Sequence, residues 1–176
     1  MTPPAVSDSD DPRRPAARAD GDDRAATGPV VLIAGPRVDP LVLEAAIDEA
    51  RAADAELVVL AILDALAPRR LADSLADGGQ VGPHMSDGLL ATLGRGRERE
   101  AMARADEFVR IASDAGVKVR SEMRRGDPAT EIAKAVVAEK PGCVVRAKAR
   151  GLWRALARRP DLDGLGRELG FRVVEV

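Results

Sequence analysis

The chain has 176 residues, 45% of them apolar and only 2% aromatic, with a net charge of -2 at neutral pH. This length suits one domain with a short additional segment. A core of aliphatic residues suits parallel strands covered by helices. So few aromatic residues argue against nucleic-acid binding by base stacking. One cysteine excludes an internal disulfide, and no apolar run approaches the roughly 20 residues that a membrane span needs, so we expect a cytoplasmic protein.

The first 27 residues differ in composition from the rest. They are rich in Pro, Asp, Arg and Ala, and their only bulky apolar residues are Met1 and Val6. Such a segment buries too little apolar surface to offset the entropy that ordering costs. We therefore predict a disordered N-terminal tail at 1–27 and one domain at 28–176.

Five predicted strands follow in the domain. Continuous apolar runs at Pro29–Ala34, Leu57–Ile62 and Cys143–Val145 are typical of strands that are buried on both faces. Val117–Met123 alternates apolar and polar residues, which predicts a half-exposed strand at a sheet edge. Phe171–Val176 is the last predicted strand.

Helical patterns separate these strands. Asp39 and Asp127 each precede a proline, which combines a capping carboxylate with proline at the first helical position. A long helix is predicted at 88–115 and a weaker one around Leu162 and Leu165, whereas the Gly/Pro-rich segment 64–87 is typical of a long functional loop. The third helix has a predicted buried side of Ala129, Ile132, Ala133, Val136 and Val137. The predicted apolar sides of the other helices comprise Leu43, Ala46, Ile47 and Ala50; Met102, Ala105, Phe108, Val109, Ile111 and Ala112; and Leu162, Leu165 and Leu169.

Strands that are joined by helical crossovers must be parallel, because each such crossover is right-handed. The sequence therefore predicts an α/β fold with a single five-stranded, open, parallel sheet. The sheet should be doubly wound, with helices on both faces.

A basic segment follows the fourth predicted strand, at the end where open α/β sheets bind ligands. Residues 143–160, CVVRAKARGLWRALARRP, contain no acid. The cations could clamp a phosphate group through their side chains. They could instead form a solvated helix face with Trp153 and Leu156 packed inward, the commoner situation for surface charge. The cations are Arg146, Lys148, Arg150, Arg154, Arg158 and Arg159.

Other reactive residue types favour structural roles. Cys143 begins an interior strand, so a buried core residue is favoured over a redox thiol. His84 has no second histidine or cysteine nearby, which argues against a metal site. Capping explains Asp39 and Asp127 better than catalysis does. No arrangement for nucleophilic or acid-base catalysis is recognisable, and we expect no enzymatic activity.

Three segments together resemble the universal stress protein family. They are ADAELVVLAI at 53–62, the helix start Arg125-Gly126-Asp127-Pro128, and the final segment 144–176. The resemblance implies a three-layer sandwich of the flavodoxin type, similar to the adenine nucleotide alpha hydrolases. It also implies a homodimer that pairs through the last strand, Phe171–Val176, and an exposed apolar edge is a physical reason for such pairing.

The family's ATP-binding members carry glycine, two residues, glycine, nine residues, glycine and then Ser or Thr after the fourth strand. Aligned without a gap, these four positions fall on Arg146, Ala149, Arg159 and Pro160. Bulky side chains at 146 and 159 fill the space where phosphate would approach bare backbone. Proline at 160 has neither an N–H group nor a hydroxyl. The glycine pattern is thus absent.

The family's acidic residue after the first strand also lacks a direct counterpart. Gly35 ends the strand and Pro36 aligns with the acid, unless a shortened loop brings Asp39 to its place. The resemblance implies a degenerate nucleotide site that consists of Arg146, Lys148, Ala149, Arg150, Arg159, Pro160, Gly35 and Asp39.

We expect a dimeric regulatory or stress-response protein without a cofactor. One alternative is a nucleotide-binding module that holds ATP or another phosphate ligand through arginine and lysine side chains. Another is an adaptor that binds an unidentified protein partner through the tail and the 64–87 loop.

Overall fold

The computed structural model describes residues 28–34, 39–67, 87–148 and 161–176. These ranges contain five strands and four helices. The strands are β1 (Val30–Ala34), β2 (Leu57–Asp64), β3 (Val119–Gly126), β4 (Cys143–Arg146) and β5 (Arg172–Glu175). The helices are α1 (Pro40–Ala52), α2 (Asp87–Asp114), α3 (Pro128–Glu139) and α4 (Leu162–Leu169).

The strands form one parallel sheet in the order β3-β2-β1-β4-β5. The chain builds outward from β1 to β3 and then returns to place β4 on the other side of β1. This confirms the predicted five-stranded parallel sheet and the edge position of β3. The reversal of strand order lies between β1 and β4, where the crevice at the carboxyl ends binds ligands in open α/β sheets.

Of the helices that the structure describes, two cover each face of the sheet, so the doubly wound arrangement is confirmed. Helices α1 and α2 pack on one face, against alternate residues such as Leu32, Val59 and Val145. Helices α3 and α4 supply Ile132, Ala135, Val136 and Leu162 to the opposite core, against Val31, Val58, Leu60 and Val144. Because side chains alternate along each strand, the apolar runs supply both cores.

Side-chain caps begin three helices. Asp39 accepts from the amide of Leu41 at 3.1 Å, and Asp127 accepts from the amide of Thr130 at 3.0 Å. Both capping predictions are therefore confirmed. Asp161 caps α4 in the same way, accepting from the amide of Gly164 at 2.8 Å.

Some predicted boundaries and faces were wrong. Strand β3 begins two residues later than predicted and runs three further, because it pairs along all eight residues of β2. Met102, which was placed on the apolar face of α2, is 50% exposed, since α2 contacts the sheet through Ala105, Phe108 and Ala112. Val137, which was predicted to be buried, is exposed, and so are Ile111 and Leu169 from the apolar sides of α2 and α4.

Several predictions concern residues outside the described ranges. These are the tail at 1–27, residues 68–86 of the predicted loop with His84, and the basic helix that carries Trp153 and Leu156. Within the described part of the chain, no helix combines the length and apolar character of a membrane span.

Candidate functional site

The crevice at the reversal of strand order is bordered by the ends of β1 and β4. Strand β1 ends at Ala34, and β4 ends at Arg146. Helix α1 follows β1, so its N-terminus, capped by Asp39, lies at this end of the sheet. The backbone N–H groups of a helix N-terminus carry a partial positive charge, and the carboxylate of Asp39 is committed to one of them, that of Leu41.

Arg146 joins β4 to two neighbouring elements. Its Nη2 lies 3.3 Å from Oδ2 of Asp163 in α4, and its Nε lies 3.4 Å from Oε1 of Glu175 in β5. The side chain of Arg146 is only 17% exposed. Because Arg146 lies opposite Glu175 in the β4–β5 register, both side chains leave the sheet on the α4 face. Two carboxylates therefore already compensate this guanidinium.

The hydrogen bonding of Arg146 is nevertheless incomplete. Its Nε is buried and makes no hydrogen bond of acceptable geometry, although Glu175 lies within ion-pair distance. A buried donor without an acceptor costs free energy. One N–H of this guanidinium is thus unsatisfied at the carboxyl end of β4.

Lys148 takes part in the sheet through its backbone. Its amide donates to the carbonyl oxygen of Val176 at 2.7 Å, and the amide of Val176 donates to that of Arg146 at 3.1 Å. The backbone N–H of Lys148 is therefore not available to a phosphate, whereas its exposed side chain projects into solvent.

The topology brings three of the proposed site residues, Asp39, Arg146 and Lys148, to one end of the sheet. The remaining five lie outside the described ranges: Gly35, Ala149, Arg150, Arg159 and Pro160. Sequence reasoning missed the two acidic partners of Arg146. The strand register could have identified Glu175, and the position of Asp163 in the first turn of α4 was a weaker signal.

Cys143 lies at the opposite end of β4 and is buried, as predicted. Burial raises the pKa of its thiol to about 11, with a smaller contribution in the same direction from Glu49 and an opposing one from Arg172. Arg172 is itself paired with Glu49. Such a thiol stays protonated at neutral pH and is a poor nucleophile.

Grooves lie beside both edges of the described sheet. One, of about 290 Å³, is lined by Asp163, Gly166, Arg167, Phe171 and Val173, next to β5. The other, of about 210 Å³, lies between α2 and β3. The described residues contain no group of three histidine, cysteine, aspartate or glutamate side chains that could hold a metal ion.

Comparison by sequence gives no match to a protein-family model and none to a curated protein. Solved structures do match. Universal stress protein UspA from Lactobacillus plantarum has a TM-score of 0.56 at 13% identity, over 84% of this chain and 97% of that one. A universal stress protein family member from Burkholderia pseudomallei has a TM-score of 0.55 at 15% identity, over 88% and 98%.

The universal stress protein of Archaeoglobus fulgidus, in a structure with dAMP, has a TM-score of 0.50 at 17% identity, over 85% of this chain and 98% of that one. These matches extend over nearly the whole length of each relative, but at such identities the similarity is one of fold. Together with the strand order and the helices on both faces, they support one conclusion: this chain has the fold of the universal stress proteins.

Proposed function

We propose that this chain is a regulatory domain of the universal stress protein kind that does not hold ATP in a backbone cradle. The observation that carries the proposal is the environment of Arg146. This residue aligns with the first glycine of the ATP-binding members, and its guanidinium is paired with Asp163 and Glu175. A long side chain thus occupies a position where ATP binding by the family's pattern needs bare backbone.

Charge supports the same proposal. The side chains of Asp163 and Glu175 are 62% and 38% exposed at this end of the sheet. A phosphate that approached Arg146 would meet both carboxylates, and like charges about 4 Å apart repel by roughly 1–4 kcal/mol near a protein surface. Arg146 would have to exchange internal partners for the ligand.

Titration with ATP tests the proposal. A site with a Kd of about 0.1 mM would stabilise the fold by about 1.4 kcal/mol at 1 mM ATP, which would raise the Tm by about 3–6 °C. We expect neither this shift nor saturable heat in calorimetry. Saturable binding of ATP by the full chain would overturn the proposal.

A second candidate function is nucleotide binding through side chains. The structural relative from Archaeoglobus fulgidus that was solved with dAMP favours it, as does the unsatisfied Nε of Arg146. In this case Arg146 and Lys148 would contact phosphate together with Arg150 and Arg159. Submillimolar binding that Arg146→Ala abolishes and Arg167→Ala preserves would support this candidate, with circular dichroism as the check on folding.

We also propose that β5 pairs with a second copy of the chain. It is an edge strand, and it carries two half-buried valines, Val173 and Val174. An edge with apolar side chains favours strand pairing. Light scattering at micromolar concentration should give twice the chain mass of 18.5 kDa. Val174→Glu should halve that mass, whereas Ser121→Glu on the opposite edge should not. A monomeric wild-type protein would refute this pairing.

A further inference from the structure

We infer that the outer edge of β3 and the adjacent flank of α2 form a docking groove for an extended acidic peptide of a partner protein. The peptide would add a sixth strand to the sheet beside β3. This inference concerns the edge opposite β5 and does not depend on whether the chain binds a nucleotide.

Within the ranges that the structure describes, the backbone of β3 is paired on one side only. The carbonyl oxygen of Lys118 accepts from the amide of Leu57 at 2.8 Å, and that of Gly126 accepts from the amide of Ala65 at 3.4 Å. The even-numbered residues of β3 therefore direct their backbone N–H and C=O groups towards β2. In a parallel strand, alternate residues direct both polar backbone groups to the same neighbour. The odd-numbered residues 119–125 therefore direct their N–H and C=O groups outward. No other strand of the described sheet lies beside them.

A groove accompanies these outward-facing groups. Its volume is about 210 Å³, and Met102 and Met123 line it from the two sides. The rest of its lining is Ala105, Asp106, Ser121 and Glu122. Met102 is 50% exposed. Unbranched thioether side chains adapt to the shape of a bound apolar group. An inserted strand could thus place an apolar side chain here while its backbone pairs with β3.

The groove is basic beyond the carboxyl end of β3. Met102 lines it, and spacings of four and three residues place Arg95 and Arg99 on the same side of α2. Among the described residues, neither arginine pairs with a carboxylate. Arg125, 62% exposed, lies at the end of the strand with Glu98 2.7 Å away. In the part of the chain that the structure describes, three arginines against Glu98 leave this end with two net positive charges, whereas Asp106 places one negative charge farther along the groove.

Charge complementarity therefore favours an occupant whose acidic residues lie beyond the carboxyl end of β3, next to the arginines and away from Asp106. A second copy of β3 fits less well, because β3 itself carries Arg120, Arg124 and Arg125 against one acid, Glu122. The charges on the other face of β3 are satisfied internally: Arg124 lies 2.6 Å from Glu122, and Arg120 pairs with carboxylates of β3 and its neighbours. These paired charges therefore do not contribute to binding of a partner at the outer edge of β3.

The test uses a synthetic acetylated octapeptide and its reversed sequence, labelled for fluorescence anisotropy. Threonine alternates with valine, leucine, aspartate and glutamate, so that the apolar and acidic side chains share one face. We expect one of the two to bind the full-length protein with a submillimolar Kd. Replacing both acids by lysine should weaken binding by about tenfold or more, as expected for loss of charge complementarity.

Backbone methylation distinguishes strand addition from simple charge attraction. Only alternate N–H groups of an edge strand face the sheet, so N-methylation of one set should abolish binding. Methylation of the other set should change the Kd by no more than about threefold. On the protein, Arg99→Glu should weaken binding about tenfold, and the matched control Arg97→Glu, on the opposite side of α2, about twofold at most.

Several results of these binding experiments would overturn the inference. They are no saturable binding of either peptide at 1 mM, equal tolerance of both methylation patterns, and equal effects of the Arg97 and Arg99 variants. A protein dimer that Ser121→Pro converts to a monomer would also overturn it, since this edge would then belong to a second copy. Ser121 suits this substitution because its N–H faces away from β2.

Discussion

The same substitution, glycine to alanine, should have opposite effects at two helical positions. Gly166 in α4 is buried against the start of β5, and a methyl group added there would lie 2.7 Å from the carbonyl oxygen of Phe171. Gly96 in α2 has no heavy atom within 4 Å of such a methyl group. In both helices alanine is intrinsically favoured over glycine by about 1 kcal/mol, so packing decides the sign.

At Gly166 the overlap is with backbone, which cannot rotate away as a side chain can. Relieving it requires α4 to move from β5, at a cost of about 2–3 kcal/mol for an overpacked site. Subtracting the helical gain of about 1 kcal/mol leaves a net loss of about 1–2 kcal/mol. Gly166→Ala should therefore lower the Tm by about 2–8 °C, and Gly96→Ala should raise it by about 2–4 °C.

Urea denaturation followed by circular dichroism at 222 nm measures the change in the free energy of unfolding for both variants. The midpoint should move while the slope with denaturant stays constant. All variants must be compared at one protein concentration, because a dimer makes the Tm depend on concentration. A Gly166→Ala variant that is as stable as wild type, or more so, would refute the packing argument.

Three further predictions follow from caps, burial and ionisation. Asp127→Ala should destabilise the fold by about 1 kcal/mol, because it removes the cap of α3, whereas Asp127→Asn should retain most of the stability. Leu32→Ala should lower the free energy of unfolding, measured by urea denaturation, by about 2–5 kcal/mol, because Leu32 is fully buried. Leu41→Ala, at a position that is 59% exposed, should change this free energy little. Because burial raises the pKa of Cys143 from 9.0 to about 11, its stabilising contribution is complete below pH 9 and is lost as the pH rises through 11. Wild type should lose on the order of 2 kcal/mol relative to Cys143→Ala across this range, and parallel pH profiles of the two proteins would contradict the assignment.

The fold was predictable because its signals are local and agree with one another. Val30–Ala34 and Leu57–Leu60 are apolar without interruption, and an aspartate followed by a proline begins both α1 and α3. Strands and helices that alternate in this way leave few topologies. Sequence patterns were thus enough to predict the fold class and the position of β3 at a sheet edge.

The errors came from features that tertiary packing decides. Periodicity predicted an apolar side for α2, but where the helix crosses the sheet determines that Ala105 is covered and Met102 is not. For the candidate site, the sequence showed Arg146 in a run without acids. Its partners, Asp163 and Glu175, come from α4 and β5 and meet it only through the sheet register and helix packing.

The two halves of the sheet differ in length. Strands β2 and β3 align over eight residue pairs, whereas β4 and β5 align over four. Local unfolding begins where few buried contacts and hydrogen bonds must break. Amide hydrogens of β5 and α4 should therefore exchange with solvent faster than those of β2, through partial opening that leaves the long half of the sheet intact. If β5 pairs with a second copy, association would slow exchange most in the half of the molecule that is least protected in isolation.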